Sequence, residues 1–391
     1  MAAGKPTNTT GSGPVHGAGA NNTGQRRNPY PQPAHPSAGG QYAAQQQASY
    51  HNQASFQQHS QFGQYPASVH PEANAVVLVT GGYDHCIKFW DAQHGTCTRT
   101  LPFADSHINR LSISPDKRFV AAAGNQSVKI FEVAGLNQNP CLILETHKPG
   151  VNVMTVEFQR EMKWIVVACE DGVIRIYDFP KTNHVRRNLE NKCSINDLKI
   201  HPEQDMLITA DQKGYLKLWN LRDNSIECAI TPEEDVPLRS VAVARDCSLL
   251  VVTNNKGRCF LYRWPDPSNR SRLELVVQFD AHNKYALRCC LSRNLQYLAT
   301  SSADLSAKLW KLNGNSVELM HVLLDHEGWV WDMAFSDDSE YLVTARVTMA
   351  SCSDQKLRVW KVSSGELTRT IEGHSKAVVT VALNDSVVIR K

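Results

Sequence analysis

The sequence has no run of 18 or more apolar residues, no C-x-x-C pair and no strong excess of charge of either sign. Each absence removes a class of protein. Without a long apolar run there is no helical membrane span and no direct membrane insertion, and no apolar segment follows the first charges, so no secretory signal is readable. Lys+Arg number 41 against Asp+Glu 38, a formal charge of +3, which lacks the basic surplus of a sequence-independent nucleic-acid binder. The eleven cysteines are odd in number and scattered, as expected for reduced thiols packed on strands in a cytosolic or nuclear protein, and they form neither a disulfide framework nor a zinc site. What the chain does have is 42% hydrophobic residues in 391, enough for a substantial core in a single repeat architecture.

Residues 1–74 differ in texture from the rest. They are rich in Gln, Ala, Asn, Gly, Ser, Pro and His, and their only charged side chains are Lys5, Arg26, Arg27 and Glu72. Such a segment buries too little apolar surface to offset the entropy of ordering its backbone, so a disordered tail is expected here.

From Val76 onward, short alternating apolar runs separated by turn residues predict an all-β domain over residues 75–391. One unit recurs: a turn with Asp or Asn, then a strand that ends in an aromatic followed by a polar residue. Its copies end at Trp90, Phe131, Tyr177, Trp219, Tyr262, Trp310 and Trp360, at successive spacings of 41, 46, 42, 43, 48 and 50 residues. These periods approximate a WD-type propeller blade of roughly 40–45 residues. Seven aromatics predict seven blades, and the 308 residues from Val76 to Leu383 give 44 for each.

The ends of the repeat predict how the ring closes. The chain enters the first unit at Val76-Val77-Leu78-Val79-Thr80 with no inner strand before it, and the last unit is followed by an extra strand, Ala377 to Leu383. That strand is expected to complete the first blade, which removes both open sheet edges. In WD-type blades a His, a Ser or Thr, an Asp and the Trp indole form a buried polar chain. His282, Thr300, Asp304 and Trp310 have that spacing within one blade, and His374, Thr80, Asp84 and Trp90 have it across the closure. Metal ligation or acid–base chemistry is the alternative for these His and Asp residues, but their recurrence at blade positions points to a structural role.

Several segments go beyond a generic propeller. Val79-Thr80-Gly81-Gly82-Tyr83-Asp84-His85 with Phe89-Trp90, Cys97-Thr98-Arg99-Thr100, Asn109-Arg110-Leu111, Ala121-Ala122-Ala123-Gly124, Tyr285-Ala286-Leu287, Gly328-Trp329-Val330-Trp331 and Lys376-Ala377-Val378-Val379 with Asn384-Asp385-Ser386 resemble the LST-eight (G-protein-β-like) family, the small WD-repeat subunit of TOR kinase complexes. The resemblance spans residues 76–388 in unbroken blade order. Three departures stand out. The tail has no counterpart, Tyr341 to Asp354 is five or six residues longer than a direct passage needs, and Phe131, Tyr177 and Tyr262 replace Trp while the turn near Lys256 lacks an Asp.

No G-x-S-x-G elbow, phosphate loop, H-E-x-x-H or Cys/His metal spacing occurs, so neither an enzyme nor a cofactor or metal site is expected. Binding is the remaining role. Loops before the inner strands carry Ser106, His107, Asn109, Asn152, Tyr285, Trp329 and Trp331. Alternation places Trp329 and Trp331 on one side of their strand, and with Trp360 already serving as that blade's structural aromatic, two further indoles suggest a partner surface. The resemblance implies that this face docks on the TOR kinase catalytic domain, in one assembly with a raptor-like or rictor-like subunit that governs nutrient-dependent growth. It also implies a cytoplasmic location, peripheral to endomembranes such as vacuole, lysosome, Golgi or endosome. A different class of function, substrate receptor of a cullin-type ubiquitin ligase, has support only from Leu218-Trp219-Asn220-Leu221-Arg222, similar to the Trp-x-x-Arg box of such receptors.

Overall fold

The computed structural model describes residues 75–104, 106–146, 148–180, 185–266, 272–347 and 355–387. The tail expected over 1–74, and residues 348–354 of the lengthened passage, lie outside them. The described residues contain strands and turns and no helix.

Seven four-stranded antiparallel sheets make up the fold. The first blade combines β1 (Val77–Gly82), β2 (Cys86–Trp90) and β3 (Cys97–Pro102) with the last strand of the chain. The second has β4 (Arg110–Ile113), β5 (Phe119–Ala123), β6 (Ser127–Glu132) and β7 (Leu142–Glu145), and the third β8 (Val153–Phe158), β9 (Trp164–Cys169), β10 (Val173–Asp178) and β11 (Val185–Glu190). The fourth has β12 (Ile195–Ile200), β13 (Met206–Asp211), β14 (Leu216–Asn220) and β15 (Ile226–Ile230), and the fifth β16 (Leu238–Val243), β17 (Leu249–Asn254), β18 (Arg258–Arg263) and β19 (Glu274–Asp280). The sixth has β20 (Ala286–Leu291), β21 (Tyr297–Ser302), β22 (Ala307–Asn313) and β23 (Ser316–Leu323), and the seventh β24 (Trp329–Phe335), β25 (Tyr341–Val347), β26 (Leu357–Lys361) and β27 (Leu367–Ile371). The final strand, β28 (Val378–Asn384), pairs with β1, as the missing inner strand required. In the lengthened passage β25 keeps a regular register with β26, from Tyr341 opposite Lys361 to Thr344 opposite Arg358.

Burial follows strand position. Second strands such as β1, β13 and β17 are buried at every residue, because neighbouring blades cover both of their faces. Outer strands such as β3 and β15 are mostly exposed. The core is therefore a ring of layers between blades. Phe131, Val120 and Ala122 of the second blade pack with Val79, Ile87 and Leu101 of the first. Leu78, Trp90 and Val381 of the first pack with Val343, Ala345 and Leu357 of the seventh, which closes the circle. At the seam a Cβ on Gly82 would lie 2.2 Å from the carbonyl oxygen of Ala377, so only glycine lets β28 approach.

Six of the seven inner strands, all but β4, carry a β-bulge near their start. The residue opposite no partner is Met154 in β8, Asn196 in β12, Arg239 in β16, Leu287 in β20, Trp331 in β24 and Val379 in β28. A bulge redirects side chains. Here it turns one residue in each of these six blades at the end of the channel where the inner strands begin.

Candidate protein-interaction face

Two polar chains hold the turns that frame this face. In the first blade the Trp90 indole N–H donates to Thr80 Oγ1 at 2.7 Å, the Thr80 hydroxyl lies 2.6 Å from His374 Nε2, and His374 Nδ1 lies 2.7 Å from Asp84 Oδ2. The sixth repeats it: Trp310 Nε1 to Thr300 Oγ1 at 2.9 Å, Thr300 to His282 Nε2 at 2.8 Å, and His282 Nδ1 to Asp304 Oδ2 at 2.9 Å. The geometry orders the protons, since an indole can only donate; the hydroxyl then donates to Nε2, and Nδ1–H donates to the carboxylate. Burial alone would raise the Asp84 carboxyl, but the hydrogen bond from His374, with N–H groups of Ser375 and Cys86, holds it below its ordinary value. Asp304 is held lower still: burial is outweighed by His282 and by the hydroxyl and N–H of Ser306. With both ring nitrogens engaged, these histidines have no lone pair free for a metal or for proton transfer.

At the same end of the ring, Tyr285 and Trp329 meet edge-on with centroids 6.4 Å apart, and Trp329 stacks on Trp331 at 6.0 Å with 28° between planes. All three are half-buried. The two tryptophans lie side by side even though Trp331 is the bulge residue, so simple strand alternation is not what pairs them. Trp331 Nε1 is buried without a hydrogen-bond partner among the described residues. Trp360 performs the structural task of this blade by donating its indole N–H to Thr344 Oγ1 at 3.0 Å. Beside Tyr285 and Trp329 lies a groove of about 550 Å³ that Lys256 and Lys284 also line.

The other candidates divide. His107 is half-buried against Tyr83, with centroids 5.0 Å apart, and burial lowers its pKa. Tyr83 thus joins the face although only its place in the turn marked it. Asn109 sends its side-chain amide to the Val153 carbonyl at 2.9 Å and so ties the second blade to the third. Ser106 Oγ accepts from the Asn125 N–H at 2.9 Å, an internal turn contact. Asn152 donates to Glu170 Oε2 at 3.0 Å. Of the Trp-x-x-Arg segment, Trp219 is committed to Thr209 at 2.9 Å, while the Arg222 side chain is 82% exposed and 3.8 Å from Asp205.

A second polar system escaped the sequence reading. Near the starts of four inner strands, Arg110, Asp197, Arg288 and Asp332 meet across the channel. Arg288 lies 3.0 Å from Asp197 and 3.2 Å from Asp332, and Arg110 lies 3.2 Å from the same Asp332. Asp332 also accepts the Thr380 hydroxyl at 2.9 Å and the Val381 N–H at 3.1 Å. The signal was a charged residue near the start of each of four inner strands.

Among the described residues one group, His201, Glu203 and Asp205, has metal-ligand proximity. It forms a tight turn in which His201 Nδ1 accepts the Glu203 N–H at 3.3 Å, so that nitrogen is spent on the backbone. The ten described cysteines are free thiols. Burial pushes Cys169 and Cys289 up to about 12, which leaves them protonated and unreactive at neutral pH.

Comparison with known proteins agrees with this architecture. The WD domain, G-beta repeat family matches residues 52–91, 95–132, 273–311 and 317–361, and a family described as nucleolar protein 10-like, N-terminal domain, matches 127–267. The target of rapamycin complex subunit wat1 of Schizosaccharomyces pombe is 44% identical over 81% of this chain and 98% of its own length. The target of rapamycin complex subunit LST8 of Saccharomyces cerevisiae is 40% identical over 80% and 99%, and that of Bos taurus 35% identical over 81% and 97%. Near-complete coverage of these relatives, on a seven-bladed ring closed by its own last strand, shows that the chain belongs to the LST8 family of WD-repeat proteins.

Proposed function

We propose that the chain is a non-catalytic subunit of TOR kinase complexes and that it docks on the kinase catalytic domain through the face where its inner strands begin. The observation that carries this reading is the row of Tyr285, Trp329 and Trp331, three half-buried aromatics in contact at the starts of two adjacent blades whose structural tryptophans are other residues. Aromatic anchors of this kind supply most of the affinity of protein interfaces. A rigid ring braced against the kinase stabilises it and limits substrate access without performing phosphoryl transfer. Through the kinase, the chain shares its assembly with a raptor-like or rictor-like subunit, works in the cytoplasm at endomembrane surfaces and supports nutrient-dependent growth.

Replacing Trp329 and Trp331 together with Ala tests the docking. As anchors they should each cost about 2 kcal/mol or more of binding, roughly thirtyfold in affinity, with the ring still folded. Core residues would instead cost about 3–5 kcal/mol of stability apiece. Melting temperature and capture of the kinase domain, measured on one variant, separate the two: a folded variant that binds normally refutes the assignment.

A further inference from the structure

The opposite end of the channel, where the inner strands finish, holds a cavity of about 570 Å³ that the kinase-docking reading does not use. Its depth is limited by the charged system already described. Arg288 joins Asp197 of the fourth blade to Asp332 of the seventh, and Arg110 of the second blade reaches the same Asp332, so the side chains bridge blades that are not neighbours. Arg110 and Arg288 line the cavity from within. The cavity is therefore a vestibule with a charged floor, and its volume is that of a small-ligand site.

Its rim is cationic. Arg160, Arg245 and Arg293 come from the turns that follow β8, β16 and β20, and all three border the cavity. Arg245 and Arg293 share a single carboxylate, Asp337, with Arg245 Nη2 3.2 Å from its Oδ1. Arg160 makes no ion pair among the described residues, and its side chain is exposed at the mouth. Lys199, deeper inside, lies 3.5 Å from Glu157. The remaining rim carboxyl, Asp385, is raised by burial and by repulsion from Asp338, with Lys117 and Arg245 opposing. Burial lowers the Arg245 pKa, and the charge of Arg160 lowers it further, so positive groups crowd one another here. A guanidinium has five N–H donors, and two guanidiniums on one carboxylate leave most of theirs unspent. The planar fork of arginine matches phosphate oxygens two at a time.

We propose that this vestibule binds a small ligand bearing two or more phosphate groups, with Arg160, Arg245 and Arg293 gripping the phosphates at the rim and Lys199 reaching them from inside. The site lies at the other end of the ring from Trp329 and Trp331, so it stands or falls independently of kinase docking.

The test uses the full chain and two probes: soluble tripolyphosphate, followed by titration calorimetry at low salt, and flotation with phosphatidylcholine vesicles that contain phosphatidylinositol phosphate. The wild-type chain should bind tripolyphosphate, more weakly as salt rises. Arg160→Gln, which breaks no ion pair and should leave the melting temperature unchanged, should weaken binding roughly tenfold, the loss of one charge-assisted contact. Arg160→Gln with Arg245→Gln should abolish it. Binding to vesicles alone, lost in the same variants, also supports the site and assigns the phosphates to a lipid headgroup. Failure of the wild type to bind either probe, or equal affinity in the variants, overturns the proposal.

Discussion

The first and sixth blades solve with one hydrogen-bonded chain a problem that the third and fifth solve by other means. All four must hold the turn between second and third strands against the loop that enters the same blade's inner strand. In the first and sixth an Asp accepts from a His and from backbone N–H groups on both sides, as Asp84 does from Ser375 at 3.1 Å and Cys86 at 3.3 Å. In the third, Asp171 caps the Val173 N–H at 3.0 Å and pairs with Arg175 at 3.0 Å, while Tyr177 reaches the Glu145 carbonyl at 3.0 Å. In the fifth, Asn254 accepts from the N–H groups of Lys256 and Arg258, both at 3.0 Å, the capping that an Asp would provide. The backbone demands satisfied donors in the turn, and several chemistries meet it. What distinguishes the first and sixth blades is that the bonds join into one continuous, largely buried chain from Trp to Asp.

That distinction can be broken most severely at the seam. Removing residues 377–391 takes away β28 and exposes the edge of β1, so the truncated chain should be insoluble or rapidly proteolysed. A soluble product with unchanged melting temperature would contradict closure by strand exchange.

Thr80→Val is the next largest change. The substitution keeps shape but strands the Trp90 N–H and His374 Nε2 in a buried site, at an expected cost of about 2–4 kcal/mol. Tyr177→Phe, the matching deletion in the third blade, removes one bond to a carbonyl and should cost only about 1 kcal/mol. Chemical denaturation of the two variants side by side measures the contrast, and equal losses would show that joining the bonds into a chain adds nothing.

The subtlest difference is one of slope with pH. Asp84 and Asp304 have folded pKa values below their unfolded one, so their stabilisation is complete above roughly pH 4 and is lost as pH falls through the folded values. Asp84→Asn should flatten the acid limb of a melting-temperature profile below about pH 4. A limb as steep as that of the wild type would remove Asp84 from the linkage.

Most of the architecture was legible because it is local and repeated. The aromatic at the end of each third strand recurs at blade length, since each blade must place one large side chain in the layer against its neighbour, as Trp90 and Phe131 do. The surplus indoles at Trp329 and Trp331 were visible for the same reason, as departures from a period. Individual loop residues were less legible: Asn109 and Ser106 sit at candidate positions but spend their polar groups inside the fold. Tyr83 joined the face only through its contact with His107.

The sequence by itself determined the number of blades, their strand order and the exchange that seals the ring, because period, turn chemistry and a missing first strand are written along the chain. Only the tertiary structure decided that Trp331 occupies a bulge and still stacks on Trp329, and that Arg110 and Asp332, 222 residues apart, meet across the channel with Arg288. The reason is geometric. A repeat specifies each blade against its neighbours, whereas contacts across the axis exist only once seven blades have closed and brought the inner strands around a common centre.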